Sequence, residues 1–577
     1  MYIEIVPNRG SRPAILLRES YREDGKIKKR TLLNLTDVPT PIVEGFRAVL
    51  KGGKVQANAE DPIVIRRSLP HGHVAAVLGV LRQSGLDRLL GPESRTRSLA
   101  IAMIVQRLVA PASKLATARR LDPETAADSL GAVLELGAVD ENELYAALDA
   151  LLERQDKIET ALARKHLHDG ALVLYDVSSS YLEGQCCPLA KRGYNRDGKK
   201  GKLQIVYGLL CARDGTPIAV HVFEGDTGDP STLATQVDTI KQRFGLTRVV
   251  LVGDRGMITQ ARIDETLRPA NLDWITALRA GDIQALAEGG ALQMSLFDQR
   301  DMASITSPDY PGERLVVCRN GELARLRARK REALLLATEG ELSRIVRAVA
   351  RRKSKPLSAA QIGVRVGKVV GHYKMAKHFA LDIEDGGFAF RRKTEEIARE
   401  AALDGVYVVR SPVPAEDLDD AELVGAYKSL SQVERAFRCL KTIDLHLRPI
   451  FHWNARRVRA HVLLCMLAFY VEHHLREKLA PILFDETDPE AAAAARASVV
   501  AKAQRSAAAK AKDASKRTSD DLPVHSLRTL FDDLATFTRM EATTTANESY
   551  VLTLYPRPTP LQKRAFDLLG VNAERSQ

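Results

Sequence analysis

The sequence predicts a mixed α/β fold, and three stretches of the chain predict it. Two short runs rich in valine and leucine, at 171–179 and 248–256, each lead into an aspartate, Asp176 in the first and Asp254 in the second. Such runs are typical of buried strands. In 423–441, apolar residues recur at three- and four-residue steps, which predicts a helix with one buried face.

Each of these elements carries an acid, since Glu434 lies on the helix. A buried strand holds its terminal side chain rigidly, so the ends of two strands beside a helix can gather Asp176, Asp254 and Glu434 around hard cations. Tyr427, Glu434 and Lys441 share one stripe of the helix, because seven residues drift by only about 20°. For any one of these acids taken alone, the alternative to a metal-binding role is structural. An aspartate at a strand end can be a turn residue, and the glutamate can be a charge beside the apolar face of a helix.

Asp176, Asp254 and Glu434 resemble the Asp-Asp-Glu triad of insertion-sequence DDE transposases, which have an RNase H-like catalytic core. The segment from Gly208 to Leu233 is similar to this family's strand-turn-strand followed by a Gly-x-x-x-Asp loop. This part of the chain reads strand, hairpin, helix, strand, the order of an RNase H-like sheet. The resemblance covers roughly Leu172 to Leu475 and implies an RNase H-like core with a large insertion.

One branch of this family carries the signature Y-x2-R-x3-E-x6-K around its glutamate. Tyr427, Glu434 and Lys441 fall on that pattern, whereas the arginine position is Leu430. In the family, that arginine helps to hold DNA phosphates. The resemblance therefore leaves the arginine's role to other basic residues of the same helix.

The resemblance implies a DNA transposase that binds transposon ends, cleaves them by metal-dependent phosphodiester hydrolysis and joins the 3′-OH to target DNA. Tyr427 and Lys441 would hold phosphates of the transposon end, with Arg435 or Arg438 in place of the missing arginine. The implied partners are double-stranded DNA, as terminal inverted repeats and as target, and a second copy of the chain in a synaptic homodimer. The Leu430 departure leaves open whether the intermediate is the DNA hairpin of this branch.

Two divalent cations are implied as cofactors, and hard oxygen ligands favour Mg²⁺ or Mn²⁺. Asp176 would bridge both ions, with Asp254 on one and Glu434 on the other. Two alternatives stay open: an RNase H-like metal-dependent nuclease without strand transfer, and a catalytically silent DNA-binding descendant of a transposase. A divalent-ion titration that showed no binding would favour the second alternative.

Composition favours a protein that acts on a polyanion. The chain has 85 Lys and Arg against 73 Asp and Glu, a net charge of +12, and contacts to phosphates release counterions. Its six cysteines form no C-x2-C pair, so neither a zinc ribbon nor a disulfide framework is indicated. The N-terminus does not resemble a signal peptide, and the longest apolar stretch, 462–471, is too short to span a bilayer. We expect a cytoplasmic protein with no membrane partner.

Shifts in pattern along the chain predict its domain organisation. The expected regions are a small β-rich N-terminal region (1–60), a helical DNA-binding domain (61–168), the first part of the RNase H-like core (169–280), an insertion domain (281–403), the second part of the core (404–480), an Ala/Lys-rich linker (481–521) and a C-terminal segment (522–577). For 61–168, a helical domain that merely packs on the core is the alternative. The linker could also be a lone polar helix.

Four further expectations concern single elements. Asp24-Gly25 is typical of a hairpin turn between N-terminal strands. The insertion is expected to hold a basic helix at 323–336, followed by strands at 363–372 and 377–393. Ahead of the Glu434 helix, 405–410 is predicted as a strand of the core. His452, His461, His473 and His474 favour a structural or phosphate-contacting role over zinc, because no cysteine or carboxylate completes a zinc site.

Overall fold

The structure is a computed structural model that describes residues 1–8, 12–23, 25–53, 63–184, 186–297, 300–544 and 547–574. The chain divides into two compact units, one formed by 1–68 with 539–555 and the other by 69–538 with 556–577. The mixed α/β fold predicted from the sequence is confirmed, since helices and strands alternate along the larger unit.

The strands are β1 Tyr2–Val6, β2 Ala14–Glu23, β3 Lys26–Asn34, β4 Ile63–Pro70, β5 Ala171–Tyr181, β6 Gln204–Ala212, β7 Pro217–Phe223, β8 Val249–Val252, β9 Asp273–Ala277, β10 Met302–Ile305, β11 Arg314–Arg319, β12 Phe379–Glu384, β13 Gly387–Arg392, β14 Val406–Ser411, β15 Thr538–Thr544 and β16 Asn547–Leu554. The helices of the first half are α1 Thr40–Leu50, α2 Gly72–Gln83, α3 Leu86–Leu89, α4 Arg95–Val109, α5 Lys114–Leu121, α6 Leu130–Val133, α7 Glu141–Glu153, α8 Gln155–His166, α9 Leu233–Asp238, α10 Gln260–Arg262 and α11 Ala280–Glu288. The later helices are α12 Gly321–Ala350, α13 Ala359–Tyr373, α14 Thr394–Ala402, α15 Asp420–Lys428, α16 Leu430–Arg438, α17 Ala455–Leu479, α18 Pro489–Ala494, α19 Ala507–Ser515, α20 Leu527–Ala535 and α21 Pro560–Leu569.

The smaller unit contains two antiparallel sheets, β1-β2-β3 and β16-β15-β4. The strands β2 and β3 pair with Glu23 opposite Lys26, although Asp24 of the predicted hairpin turn lies outside the described residues. Acids of the same sheet partner its basic side chains, because Glu4 accepts from Arg18 at 2.9 Å and from Lys29 at 3.4 Å. These pairs neutralise part of the basic cluster at the N-terminus.

The larger unit is built on one sheet with the strand order β10-β11-β14-β9-β8-β5-β6-β7. Within it, β5 to β9 lie in the order third, second, first, fourth, fifth, and the second strand, β6, runs antiparallel to its neighbours. This is the RNase H-like arrangement. Every residue of β6 is buried, as expected for a strand covered on both faces.

The helix α17 is buried over most of its length. It packs against α2, α4, α7 and α21 and against the edge strand β7, so it joins the helical region to the sheet. No single described helix is both long and apolar enough to cross a bilayer, whereas the pair α4 and α5, bent by 103°, reaches that length and composition when taken together.

The insertion has a core of its own, in which α12, α13, β12 and β13 pack together around Leu335, Leu342 and Phe379. The predicted basic helix and the predicted strand pair at 377–393 are both confirmed, as is the strand before the Glu434 helix. The strand predicted at 363–372 is wrong, because α13 occupies this segment. Ile362, Val366 and Val370 recur every four residues and are buried on one face, so the tertiary packing outweighs the β-branched side chains.

The 481–521 segment contains α18 and α19 and is bound to the core. The Lys428 ammonium donates to the carbonyls of Val499 and Val500, at 2.5 and 2.9 Å. Lys512 likewise donates to the carbonyls of Ala480 and Asp485, at 2.7 and 2.9 Å. This alanine-rich part of the chain therefore covers the end of α15.

A buried ion pair holds β14 in the sheet. Arg410 on β14 donates to Glu313 at 2.6 Å, and Trp274 on β9 donates to the same carboxylate at 3.3 Å. Both partners of the ion pair are buried. Without Arg410, Glu313 would keep the more exposed Arg268, at 3.2 Å, as its cationic partner among the described residues, so the loss of the buried partner destabilises the folded protein.

The Arg410→Met variant is therefore expected to lower the free energy of unfolding by about 3–5 kcal/mol. Arg399→Met is the matched control, because Arg399 pairs with Glu396 at the surface and such pairs contribute about 0–1 kcal/mol. Denaturant unfolding of both variants makes the comparison. Equal losses in the two would contradict a special role for the buried pair.

Candidate active site

Asp176 and Asp254 are placed by the pairing of two neighbouring strands. Leu174 of β5 lies opposite Val252 of β8 in a parallel pair, and each aspartate follows its strand residue by two positions. Since alternate residues point to the same face, both carboxylates lie at the same level of the sheet. The strand β8 ends at Val252, so Asp254 sits in the turn that follows.

Local hydrogen bonds fix the orientation of both aspartates. The Asp176 carboxylate accepts from the backbone N–H of Val177 at 2.7 Å. The Asp254 carboxylate accepts from the backbone N–H groups of Gly256 and Met257, both at 2.9 Å. Asp254 is exposed while Asp176 is half-buried, so one acid faces solvent and the other the interior of the site.

The third acid, Glu434, lies on α16, which packs against β5. The buried face of this helix consists of Val433, Ala436 and Phe437, and the Phe437 ring meets Tyr207 of β6 edge-on at 5.6 Å. Glu434 is exposed on the other face. Its carboxylate has neither a hydrogen bond nor an ion pair with any residue that the structure describes.

The continuous helix predicted over 423–441 is wrong, because the chain breaks at Ser429. Its hydroxyl donates to the Ala426 carbonyl at 2.6 Å, a local bond that competes with regular helix geometry. Tyr427 is therefore part of α15, Glu434 is part of α16, and Lys441 lies in a π-helical turn, Cys439–Ile443. Tyr427, Glu434 and Lys441 therefore lie on three consecutive elements rather than on one continuous helix.

The charges of the three acids nevertheless interact. Burial and, to a smaller extent, the negative charges of Asp254 and Glu434 raise the pKa of Asp176 to about 7. Burial also raises the pKa of Tyr427, and all three acids contribute to that shift. Asp254 and Glu434 thus lie within electrostatic range of both Asp176 and Tyr427.

Lys441 is buried rather than presented to solvent. Its ammonium donates to the Asp197 carboxylate at 3.0 Å, and burial lowers the pKa of Lys441 while Asp197 opposes that change. Asp197 also binds Arg448 and accepts from the backbone N–H of Tyr181 at the end of β5. Asp197 was missed in the sequence because it lies in a basic loop with no periodic pattern.

The two arginines beside Glu434 differ in their surroundings. Arg435 donates to Asp485 at 3.3 Å in a half-exposed ion pair. Arg438 is exposed and has no ion-pair partner within the described part of the chain. A further arginine, Arg196, binds Asp229, the last residue of the Gly-x-x-x-Asp loop.

A second acidic cluster was also missed in the sequence. Among the described residues, Cys439, Asp444 and Glu472 form the group whose ligand atoms all lie within 4.8 Å of one another. Arg476 donates to Glu472 at 2.7 Å and to Asp444 at 3.0 Å. The guanidinium therefore already supplies the positive charge that a metal ion would bring.

Family models identify the chain. Residues 169–470, just over half of the 577 residues, match the model described as transposase DDE domain. The chain belongs to this family. Residues 3–62 also match the model described as IS1634 family transposase, N-terminal domain. The protein is thus an insertion-sequence DDE transposase, as the resemblance of its acids implied.

Comparison with whole proteins adds little to the family assignment. A search of curated proteins gave no match. Among solved structures, a cryo-EM structure of a piggyBac transposase synaptic complex with hairpin DNA aligns at 9% identity and a TM-score of 0.28. The alignment covers 57% of this chain and 51% of the other, so this transposase spans about half the length of that relative.

The Glu472 cluster generates a prediction about pH. Burial raises the pKa of Glu472 from 4.5 to about 8, so the folded protein holds a proton there that the unfolded chain has lost. The contribution of Glu472 to stability is therefore full below pH 4.5 and falls as pH rises to about 8.

Glu472→Gln is expected to reduce this fall, because the amide does not titrate. Melting temperatures measured across this pH range check the expectation, with Glu477→Gln, an exposed position on the same helix, as the control. A wild-type slope that persists in Glu472→Gln would contradict the assignment.

Proposed function

We propose that this transposase binds the ends of its transposon, hydrolyses a phosphodiester bond at each end and joins the exposed 3′-OH to target DNA. One observation carries the proposal: two aspartates at matching levels of adjacent parallel strands share their electrostatic environment with a glutamate from a separate helix. Such a cluster costs free energy in the folded protein unless cations bind it. Unpaired carboxylates kept close to one another beside a sheet are characteristic of a site for hard metal ions.

The donor set fits two divalent cations, Mg²⁺ or Mn²⁺. Its ligands are carboxylate oxygens, which these ions prefer. Asp176 would hold both ions, Asp254 one and Glu434 the other. When bound, such a pair of ions activates the attacking oxygen and stabilises the charge of the leaving oxygen.

The side chains around the acids position the DNA. The raised pKa of Tyr427 keeps its phenol protonated, so the hydroxyl can donate a hydrogen bond to a phosphate oxygen beside the scissile bond. The Lys441 ammonium binds a second phosphate after its ion pair with Asp197 breaks. Arg435 and Arg438 lie on the exposed face of α16 next to Glu434. They make the phosphate contact that the uncharged Leu430, at the arginine position of the signature, does not make.

Other parts of the proposal concern partners. The occupant of the site is double-stranded DNA, first a terminal inverted repeat and then the target, and the net charge of +12 favours both. Joining two ends requires two active sites, so we propose a homodimer in the synaptic complex. We further propose that the helical region 61–168 binds DNA, that the insertion 281–403 holds the transposon end, and that the protein acts in the cytoplasm.

The Asp176→Asn variant is expected to abolish cleavage of a DNA fragment carrying the inverted repeats that flank the gene, while end binding survives. The amide keeps the shape of the side chain but loses the charge that holds cations. Gel mapping of 3′ ends and joined products, with and without Mg²⁺, measures the effect. Asp238→Asn, an exposed acid on α9, is the control and should cleave normally.

The outcomes of this experiment separate the candidate functions. Metal-dependent nicking followed by joining to a target supports the proposed function. Nicking by the wild type without joining indicates a nuclease, and binding alone indicates a catalytically silent descendant. Loss of folding or of end binding in Asp176→Asn would count against the assignment of Asp176.

Mg²⁺ is expected to raise the melting temperature of the wild type in the absence of DNA, because a ligand that binds the folded state stabilises it by about 2.7 kcal/mol at 100 times its Kd. Asp176→Asn should lose this stabilisation and Asp238→Asn should keep it. Differential scanning calorimetry over a Mg²⁺ series measures both. An equal rise in all three proteins would place the binding site elsewhere.

A further inference from the structure

A cavity of about 340 Å³ lies between α4, α5, α7, α17 and the segment 446–453. Its lining does not include Asp176, Asp254 or Glu434. Its lining combines basic and aromatic side chains, among them Arg107, Lys114, Tyr145, Phe451, Trp453 and His461. We call this space the basic cavity.

The inner cations of the basic cavity have no counter-charge. Lys114 is 5% exposed and Arg107 is 8% exposed, and neither forms an ion pair with any described residue. The Arg107 Nε is buried without a hydrogen-bond partner in the described chain. Buried polar groups are nearly always paired, so this donor indicates a place for an anionic ligand.

The charge distribution supports this conclusion. Burial and the positive charge of Arg107 together lower the pKa of Lys114 to about 7, so a bound anion would favour the charged ammonium. By contrast, the cations at the edge of the cavity do have partners, since Arg448 binds Asp197 and Arg457 lies 3.9 Å from Asp149. The basic side chains that lack an acidic partner among the described residues therefore lie at the interior of the cavity.

Two large aromatic side chains lie at the mouth. Phe451 is 71% exposed and Trp453 is 67% exposed, although both belong to the lining of the cavity. An inorganic anion would need no aromatic surface, and an apolar ligand would not suit buried cations. A nucleotide satisfies both requirements, because its phosphate is an anion and its base stacks on aromatic rings.

The mouth is also connected to the strand that carries Asp176. Ile450 donates its backbone N–H to the Tyr181 carbonyl at 3.2 Å, and its own carbonyl accepts from Glu183 at 3.0 Å. Phe451 and Trp453 therefore follow directly after a residue that is hydrogen-bonded to the end of β5.

We propose that the basic cavity binds single-stranded DNA, with a backbone phosphate at Lys114 and Arg107 and the adjoining base against Phe451 or Trp453. This inference rests on the proposed function, since it takes DNA as the occupant. It adds a site for an unpaired nucleotide outside the acidic cluster and outside the helix that carries Glu434.

Fluorescence of Trp453 tests the proposal directly. The protein has two tryptophans, and the other, Trp274, is 2% exposed in the core. Titration of the full chain with a single-stranded thymidine oligonucleotide, in buffer without divalent cations, should quench the fluorescence in a saturable way. The Trp453→Phe variant should show no such quenching.

The charge variants decide whether the cavity is responsible. Lys114→Met is expected to weaken oligonucleotide binding by about tenfold or more, the size of a lost charge-assisted hydrogen bond. Lys157→Met, an exposed lysine on α8 outside the cavity, should bind like the wild type. Inorganic phosphate should compete with the oligonucleotide in the wild type and compete more weakly in Lys114→Met.

A measurement of stability shows whether the variant folds. Below about pH 7 the buried charge of Lys114 destabilises the folded protein, and this cost disappears as pH rises towards 10.5. Lys114→Met should therefore melt at or above the wild-type temperature in acid. Arg107→Met is the second variant, with the same expected loss of binding, if Lys114→Met does not fold.

Three results would overturn the proposal: no quenching, equal affinity in the wild type and Lys114→Met, or equal quenching by a blunt duplex of the same length. Phosphate binding without oligonucleotide binding would also overturn it. The assay involves no cleavage, so failure of this inference can be distinguished from failure of the proposed function. Quenching that depends on Lys114 supports the cavity even in a protein that cleaves nothing, and cleavage without quenching refutes the cavity alone.

Discussion

The parallel pairing of β5 with β8 is the constraint on which the rest of the site depends. It brings Asp176 and Asp254 to one level of the sheet, and the end of β5 also contacts Asp197 and Ile450. A shift of one residue in this pairing would turn either aspartate to the opposite face. Because both strands lie inside the sheet, the hydrophobic burial of β5 and β8 fixes the register, and the polar groups at their ends follow from it.

The sequence was sufficient for the parts of this site that depend on periodicity. Asp176 and Asp254 each follow an apolar run, and Val433 and Phe437 mark the buried face of the helix carrying Glu434. It could not reveal the break at Ser429, which arises from a side-chain hydrogen bond. Nor could it distinguish α13 from a strand, since its valines favour strands and only packing against the rest of the insertion decides the outcome.

The long-range ion pairs could not be predicted from the sequence either. Asp197 and Lys441 are separated by 244 positions and meet only in the folded chain. The cluster of Cys439, Asp444 and Glu472 joins a turn, a loop and a long helix, and Arg476 neutralises it. The transposase thus has two regions of unbalanced charge joined through β5, the acids in one and the inner cations of the basic cavity in the other. We propose that each region is stabilised by a ligand of opposite charge.

The contact between Lys441 and Asp197 has a consequence for how DNA binding responds to salt. In the free protein, a carboxylate already neutralises this ammonium, so a DNA phosphate that binds it replaces one fixed anion by another. The carboxylate left behind stays next to Arg448. The salt dependence of DNA binding would therefore arise from the cations that the contacted phosphates release. Few anions would leave the protein, because Asp197 rather than a solution anion neutralises Lys441. Under the proposed function, only DNA that fits the site closely enough to displace Asp197 would reach Lys441.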